Sequence, residues 1–153
     1  MTEELLFRSA AVPLLVGAGV SLGSIVYLTP IIFGLAHIHH FYEFRLTHPH
    51  VSVFAAVFRS LLQLTYTTLF GAYATFVFIR TGSLLSIIIV HAFCNAMGLP
   101  RLWGHVQPYW VHPGHKSWIW TSLYYMLLVA GSVAWWQQLW PLTEGRNALA
   151  SWQ

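Results

Sequence analysis

Long stretches without any charged residue restrict this chain more than any other feature of its sequence. The stretch from Ser9 to Tyr42 contains no Asp, Glu, Lys or Arg, and a second uncharged stretch covers Ser60–Ile79. Charged residues make up only 7% of the chain, whereas soluble domains carry about 25%. Because such a chain cannot cover a soluble fold with polar side chains, the sequence predicts a membrane protein. Its 153 residues suffice for about five membrane-embedded helices at roughly 20 residues each.

Breaks in the hydrophobic pattern divide the chain into helical segments. Proline and glycine interrupt the first uncharged stretch, which therefore predicts two helices. Tryptophans cluster at both ends of the last apolar segment, as in the aromatic belts of membrane-spanning helices. We predict an all-α, polytopic integral membrane helical bundle that forms one domain over residues 1–140, followed by an exposed, loosely ordered tail over residues 141–153. The predicted segments are two helices between Ser9 and His40, a helix over Ser60–Ile79 with an amphipathic start near Val53, an apolar run over Leu84–Met97 and a span over Trp118–Trp140, with interfacial loops over 43–51 and 99–117.

The distribution of charge and the single cysteine exclude several classes of protein. The formal charge of +3 is spread over seven scattered Lys and Arg residues, which gives no basic patch for nucleic acid. Cys94 is the only cysteine, so an internal disulfide and a cysteine-based zinc cage are both excluded. The sequence therefore predicts a bilayer as the main environment and no nucleic-acid partner.

An acidic pair at the start of the chain is the first candidate for chemistry. Glu3 and Glu4 are two of only four acidic residues, and ionisable groups at membrane depth are functional candidates by default. On a helix Glu4 and Arg8 share a face and can form an ion pair, whereas Glu3 points about 100° away from Glu4. An incompletely paired carboxylate of this kind is suited to act as a general base. The alternative is a helix that Thr2 caps and whose first turn carries acids to suit the helix dipole.

Two further polar sets lie on the apolar helices. Phe33 and His37 are four residues apart, as are His91 and Asn95, so each pair shares a helix face. Together with the acidic pair they suggest hydrolysis, in which Glu3 and His37 hold and deprotonate a water while His91 and Asn95 donate hydrogen bonds to an oxyanion. The alternative for each histidine is a packing or interfacial role, and Asn95 can equally join two helices.

Zinc chemistry is a rival interpretation of the same residues. Imidazole and carboxylate groups are common zinc ligands, but the chain has no His-Glu-x-x-His motif. On an ideal helix His39 and His40 project about 200° and 300° away from His37, so these three side chains do not converge on one ion. A second metal site in the polar loop is disfavoured. The residues in question are Glu3, Glu4, His37, His39, His40 and His91 for the first site, and His105, His112 and His115 for the second.

Three short motifs carry a resemblance to a known family. The chain contains Glu3-Glu4-x-x-x-Arg8, then Phe33-x-x-x-His37, then His91-x-x-x-Asn95. In this order and on apolar segments, they resemble the three signature motifs of the type II CAAX prenyl proteases, the Ras-converting enzymes. The residues around His37 and His91 resemble the eukaryotic branch of the family more closely, and the resemblance extends from Thr2 to about Trp140.

The resemblance implies an activity, substrates and a location. It implies an intramembrane endopeptidase of the endoplasmic reticulum membrane, with an active site accessible from the cytosolic side. Its substrates are isoprenylated CAAX proteins such as Ras-like GTPases, from which it removes the last three residues. The resemblance favours a glutamate mechanism without metal or other cofactor over the zinc alternative.

The resemblance also assigns roles residue by residue. Glu3 and His37 would activate the water, His91 and Asn95 would form the oxyanion hole, Glu4 and Arg8 would be an orienting pair, and Phe33 would line the site. Members of the family have further transmembrane helices before the first motif, so we expect the upstream helices to be missing from this chain. The alternative function is a short, inactive membrane protein that binds prenylated tails or partners.

Overall fold

The computed structural model describes residues 2–111 and 118–150, and every regular element in these two ranges is helical. The predicted all-α membrane bundle is therefore confirmed. The predictions for His112 and His115, and for the last three residues of the tail, lie outside the described residues. The elements are α1 (Thr2–Glu4), a π-helical segment (Leu5–Ala10), α2 (Ala11–Gly17), α3 (Leu22–Leu35), α4 (His39–Thr47), α5 (Val53–Thr81), α6 (Leu84–Met97) and α7 (Trp118–Thr143).

Three of the described stretches are long and apolar enough to cross a bilayer, namely Leu22–Thr47, Val53–Thr81 and Trp118–Thr143, while α6 is a shorter apolar helix. Large apolar side chains are exposed on all three, for example Leu28, Leu69 and Leu127. In water such surfaces would be a liability, but in a bilayer they are the expected lipid-facing surface. By its contacts the chain forms two compact units, Met1–Phe93 with Gly145–Gln153, and Cys94–Glu144.

The core of the first unit forms where α5 packs against α3. Gly71 of α5 allows this approach, because a Cβ atom added to it would lie 2.9 Å from Pro30 Cβ and 3.1 Å from an Arg8 guanidinium nitrogen. The proline ring is rigid and the guanidinium is buried, so neither neighbour can move away freely. The buried apolar side chains of this core are Val12, Ile25, Val26, Ala74, Val77, Phe78, Ile79 and Ile87.

We expect Gly71→Ala to lower the free energy of unfolding by about 1–3 kcal/mol, the usual cost of overpacking a close contact. The matched control is Gly131→Ala, because Gly131 lies within α7 and a Cβ atom there meets nothing within 4 Å. Alanine favours a helix over glycine by about 1 kcal/mol, so the control is expected to leave stability unchanged or to raise it. Unfolding of both variants in detergent solution measures the difference, and equal stabilities would contradict the close packing at Gly71.

The end of the first long stretch differs from the sequence prediction. Residues 43–51 were predicted to be an interfacial loop, but α4 continues to Thr47. A hydrogen bond between the His40 ring and the Glu43 carboxylate, one helical turn apart, supports this helix, and Arg45 donates a hydrogen bond to the carbonyl of Val51 at 2.6 Å. The prediction of a loop over the whole segment was wrong because these local contacts hold its first half helical.

Polar residues set the ends of the long helices. Ser52 caps α5 by accepting a hydrogen bond from the Ala55 amide, and α5 then runs unbroken to Thr81. Ser21 caps α3 in the same way. Although Gly19–Gly23 has the letters Gly-x-Ser-x-Gly, Ser21 is thus a helix cap and does not stand on the strand-to-helix turn that this motif requires in serine hydrolases.

The residues that follow α7 return to the C-terminal end of α5. The Gly145 amide donates to the Arg80 carbonyl at 3.2 Å, and the Leu149 amide donates to the Ile79 carbonyl at 2.8 Å. Leu149 and Ala150 are half-buried against the core. The exposed, loosely ordered tail that the sequence predicted from Pro141 onward therefore differs from the structure at these residues, because their amides satisfy carbonyls that the end of α5 leaves open.

In the second unit, hydrogen bonds join the polar segment around Arg101–Val106 to the first turns of α7. Thr121 exchanges hydrogen bonds with the backbone of Val106. The Tyr124 hydroxyl accepts a hydrogen bond from the Arg101 amide, and the Tyr125 hydroxyl donates one to the Gly104 carbonyl. These side chains give an irregular segment the hydrogen bonds that its backbone would otherwise lack.

Candidate functional site

The acidic pair lies at the start of a helix with a widened turn. The backbone passes from α1 into the π-helical segment Leu5–Ala10, and single π turns inside helices are frequent at functional sites. Glu4 and Arg8 are each only 1% exposed, and Arg8 Nη1 donates a hydrogen bond to Glu4 Oε1 at 3.3 Å. The structure thus contains the buried ion pair that the spacing predicted.

Arg8 also connects this first helix to the two helices behind it. Its second guanidinium nitrogen donates to the Gly71 carbonyl of α5 at 3.3 Å. The guanidinium lies over the ring of Phe33 on α3, 4.6 Å from the ring centroid, within the range of a cation–π interaction. Phe33 is itself buried and packs edge-on against Phe7. Arg8 therefore fixes Glu4 relative to both α3 and α5.

His37 lies in the turn between α3 and α4. Its Nδ1 is 2.8 Å from the carbonyl oxygen of Phe33, and the two rings are in edge contact with centroids 4.9 Å apart. A carbonyl only accepts hydrogen bonds, so Nδ1 carries the hydrogen and Nε2 of the neutral ring carries a lone pair. That Nε2 lies 3.8 Å from Glu3 Oε1.

His91 of α6 is oriented in a similar way by a different acceptor. Its Nδ1 donates to Glu4 Oε1 at 2.6 Å, and its ring lies against Phe70 with centroids 4.9 Å apart. Its Nε2 lies 3.9 Å from Glu3 Oε2. The buried Oε1 atom of Glu4 thus accepts hydrogen bonds from both Arg8 and His91, and so fixes the imidazole that faces Glu3.

Glu3 therefore stands between two imidazole Nε2 atoms. Neither distance is short enough for a direct hydrogen bond, but a water beside either pair of atoms could contact both of them. The Glu3 side chain is 46% exposed, whereas that of Glu4 is 1% exposed. Glu4 is thus buried within the protein, whereas Glu3 is open to solvent. This arrangement can hold a water and accept a proton from it.

The predicted site residues are not all brought together. The first unit contains Glu3, Glu4, Arg8, Phe33, His37 and His91 in one cluster. Asn95 lies on α6, four residues after His91, and its side chain is exposed. It belongs to the second unit, and its part in an oxyanion site stays a prediction.

Two other histidines of the zinc interpretation, His39 and His40, form a group with Glu43. His39 and His40 lie on α4 with Glu43, and the ligand atoms of these three residues are within 4.8 Å of one another. The expectation that His37, His39 and His40 do not converge on one ion agrees with this group, which does not include His37. Sequence reasoning missed Glu43, although its spacing from the two histidines on a helix was a signal that could have found it.

A largely apolar pocket of about 250 Å³ opens beside His37, between the turn that carries it and α5. Gly34, Phe41 and Leu61 form part of its wall. Ser60 also lines it, and its buried hydroxyl has no hydrogen-bond partner in the part of the chain that the structure describes. Nothing in the sequence indicated Ser60, because only the packing of α5 on α3 brings it near the site.

The fold and the cluster define a class of protein: a polytopic helical membrane protein with a cluster of one open carboxylate and two oriented histidines. A family model described as "Type II CAAX prenyl endopeptidase Rce1-like" matches residues 1–97. The match covers more than half of the chain and includes all three motifs that supply the cluster. The chain belongs to the type II CAAX prenyl endopeptidase family.

Curated relatives carry names of the same kind. The chain is 41% identical to "Probable CAAX prenyl protease 2" of Schizosaccharomyces pombe over 96% of its own length and 50% of that protein. It is 47% identical to "CAAX prenyl protease 2" of Arabidopsis thaliana over 69% of its length and 33% of that protein. The corresponding protein of Homo sapiens is 43% identical over 67% of the chain and 30% of that protein. The chain thus spans half or less of these relatives, and no solved structure matches it.

Proposed function

We propose that this chain carries the catalytic cluster of a CAAX prenyl endopeptidase. It would remove the C-terminal tripeptide from isoprenylated CAAX proteins, Ras-like GTPases among them, at the cytosolic side of the endoplasmic reticulum membrane. The names of the relatives support the substrate class. The observation that carries the proposal is the exposed Glu3 carboxylate held 3.8 and 3.9 Å from the Nε2 atoms of His37 and His91. One membrane domain over residues 1–140 would contain this cluster.

The proposed hydrolytic step begins with a water between Glu3 and His37. With Nδ1–H of His37 bound to the Phe33 carbonyl, the water donates one hydrogen to Glu3 and one to Nε2 of His37. Glu3 takes one proton as the water oxygen attacks the carbonyl carbon of the peptide bond that joins the prenylated cysteine to the tripeptide. The same proton then passes to the leaving amine as the C–N bond breaks. The step needs no covalent intermediate and no cofactor.

His91 has a different part in this proposal. Because its Nδ1 donates to Glu4, the ring donates from Nε2 as well only when it carries both protons. A charged His91, with the Asn95 amide as the second donor, would stabilise the oxyanion that forms on the attacked carbonyl.

The apolar pocket beside His37 is proposed to take an apolar part of the substrate. Leu61→Trp is expected to fill part of this pocket and to raise KM by about tenfold, equivalent to about 1.4 kcal/mol or two buried methylene groups, with little change in kcat. Leu62→Trp is the matched control, because Leu62 is similarly exposed on α5 and is not part of the pocket wall. Steady-state kinetics with a farnesylated CAAX peptide measure both. An unchanged KM for Leu61→Trp would contradict this use of the pocket.

The test of the proposed function is tripeptide release from a farnesylated CAAX peptide by the chain in lipid vesicles, with and without a strong chelator. Release that resists the chelator and is lost in His37→Ala would support the glutamate mechanism. Release that the chelator abolishes would favour the zinc-dependent alternative. Absence of release by the inserted, folded chain would contradict the proposal and favour a protein that only binds prenylated tails.

A further inference from the structure

We propose that His39, His40 and Glu43 bind one divalent transition-metal ion, such as Zn²⁺, at the start of α4. One ligand atom from each residue lies within 4.8 Å of the other two. Ligand atoms at about 2.0–2.2 Å from a common zinc ion are closer together than this, so binding would include rotation of these side chains toward the ion. The inference does not depend on the proposed peptidase activity, because Glu3 and His91 take no part in it.

The geometry of α4 brings the three side chains to one side of the helix. His39 and Glu43 are four residues apart and His40 and Glu43 are three apart, so both histidines are neighbours of the same carboxylate. His40 Nδ1 already lies 2.9 Å from Glu43 Oε2. The rings of His39 and His40 have centroids only 3.9 Å apart. Two imidazoles and a carboxylate thus converge within about one turn of helix.

His39 is held in the form that a metal requires. Its Nδ1 lies 2.8 Å from the carbonyl oxygen of Ala36, which only accepts hydrogen bonds, so Nδ1 carries the hydrogen. The lone pair of the neutral ring is then on Nε2 and is available to an ion. A ligating histidine almost always donates its other ring hydrogen to a carbonyl, carboxylate or water, and the Ala36 carbonyl fills this role.

The three ligands favour a transition metal such as zinc, and their exposure allows the ion to bind from the solvent. Imidazole suits zinc, copper and nickel, whereas calcium and magnesium prefer sets of oxygen ligands. His39 and Glu43 are exposed and His40 is half-buried, so an ion can enter without unfolding of the helix. Three protein ligands leave a fourth position for water. The His40 ring is 5.8 Å from that of His37, so a bound ion would stiffen the turn that carries the proposed catalytic histidine.

The test is titration of the purified full chain in detergent with Zn²⁺, followed by calorimetry, and with Co²⁺, followed by its visible absorption. We expect one ion per chain, and we expect His39→Ala and Glu43→Gln each to weaken binding by about tenfold or more. The control variants are His48→Ala and His50→Ala, which remove exposed imidazoles from the end of the same segment. Circular dichroism confirms that each variant keeps its helices.

Three results would overturn the proposal. The first is absence of stoichiometric binding to the folded chain. The second is equal weakening in the control variants and in His39→Ala, which would indicate diffuse binding by surface histidines. The third is loss of binding in Glu3→Gln with full binding in Glu43→Gln, which would move the ion to the Glu3 cluster. Binding that Glu3→Gln leaves intact supports the site on α4 whether or not the chain cleaves peptides.

Discussion

Glu3→Gln is expected to lower kcat for tripeptide release by about a thousandfold, within the range that a positioned general base contributes. The amide has nearly the same shape as the carboxylate, so the variant keeps the packing of the first helix. It cannot take a proton from the water that is proposed to lie between Glu3 and His37. Because Glu3 is proposed to act on the water rather than to bind the prenyl chain, KM is expected to change little. Single-turnover release from a farnesylated peptide in vesicles measures the chemical step.

The matched control for this prediction is Glu144→Gln, because Glu144 is also exposed and is far from the cluster in sequence. It is expected to cleave at the rate of the unmodified chain. A Glu3→Gln variant that retains more than about a tenth of the activity would contradict the role of Glu3, since general-base catalysis contributes at least about a hundredfold. Such a result would direct attention to His37 or His91 as the base.

The largest effect on stability is expected for Arg8→Met. This change leaves the Glu4 carboxylate buried without its cation, and loss of one partner of a buried ion pair costs about 3–5 kcal/mol. It also removes the hydrogen bond to the Gly71 carbonyl and the contact with the Phe33 ring. Chemical unfolding in detergent, followed by circular dichroism, measures the change.

A second variant separates the unpaired charge from the lost packing. Arg8→Met combined with Glu4→Gln removes both charges and is expected to recover part of the lost stability. Arg146→Met is the control for loss of a cation from an exposed position, and it is expected to change stability by less than about 0.5 kcal/mol. A double variant no more stable than Arg8→Met would show that the charge of Glu4 is not what makes the single change costly.

The contacts of the cluster that residue spacing could predict are those within one helix. Four-residue spacing indicated the Glu4–Arg8 ion pair and the contact of Phe33 with His37. The low charge of the chain indicated the membrane bundle. The first two features follow from the period of the helix, and the third follows from the low content of charged residues. All three can therefore be predicted before any tertiary structure is known.

The contacts that orient the cluster cross large separations in sequence. Glu4 and His91 are 87 residues apart, and Arg8 and Gly71 are 63 residues apart. Spacing carries no information about such pairs, because the packing of α5 and α6 decides them. The sequence interpretation placed His91 with Glu4 only as alternative zinc ligands, and did not foresee that Nδ1 of His91 donates a hydrogen bond to Glu4.

The π-helical turn sets the rotation of the first helix, and this rotation decides which of Glu3 and Glu4 is buried. Each residue of an ordinary helix turns the chain by about 100°, so deletion of one residue within Leu5–Phe7 would rotate Glu3 and Glu4 by that amount relative to Arg8 and α2. The neighbours Glu3 and Glu4 differ by the same angle. Such a deletion would present the wrong acid to Arg8 and leave the exposed position to a different side chain. The widened turn thus determines which of two identical carboxylates is buried and which is free.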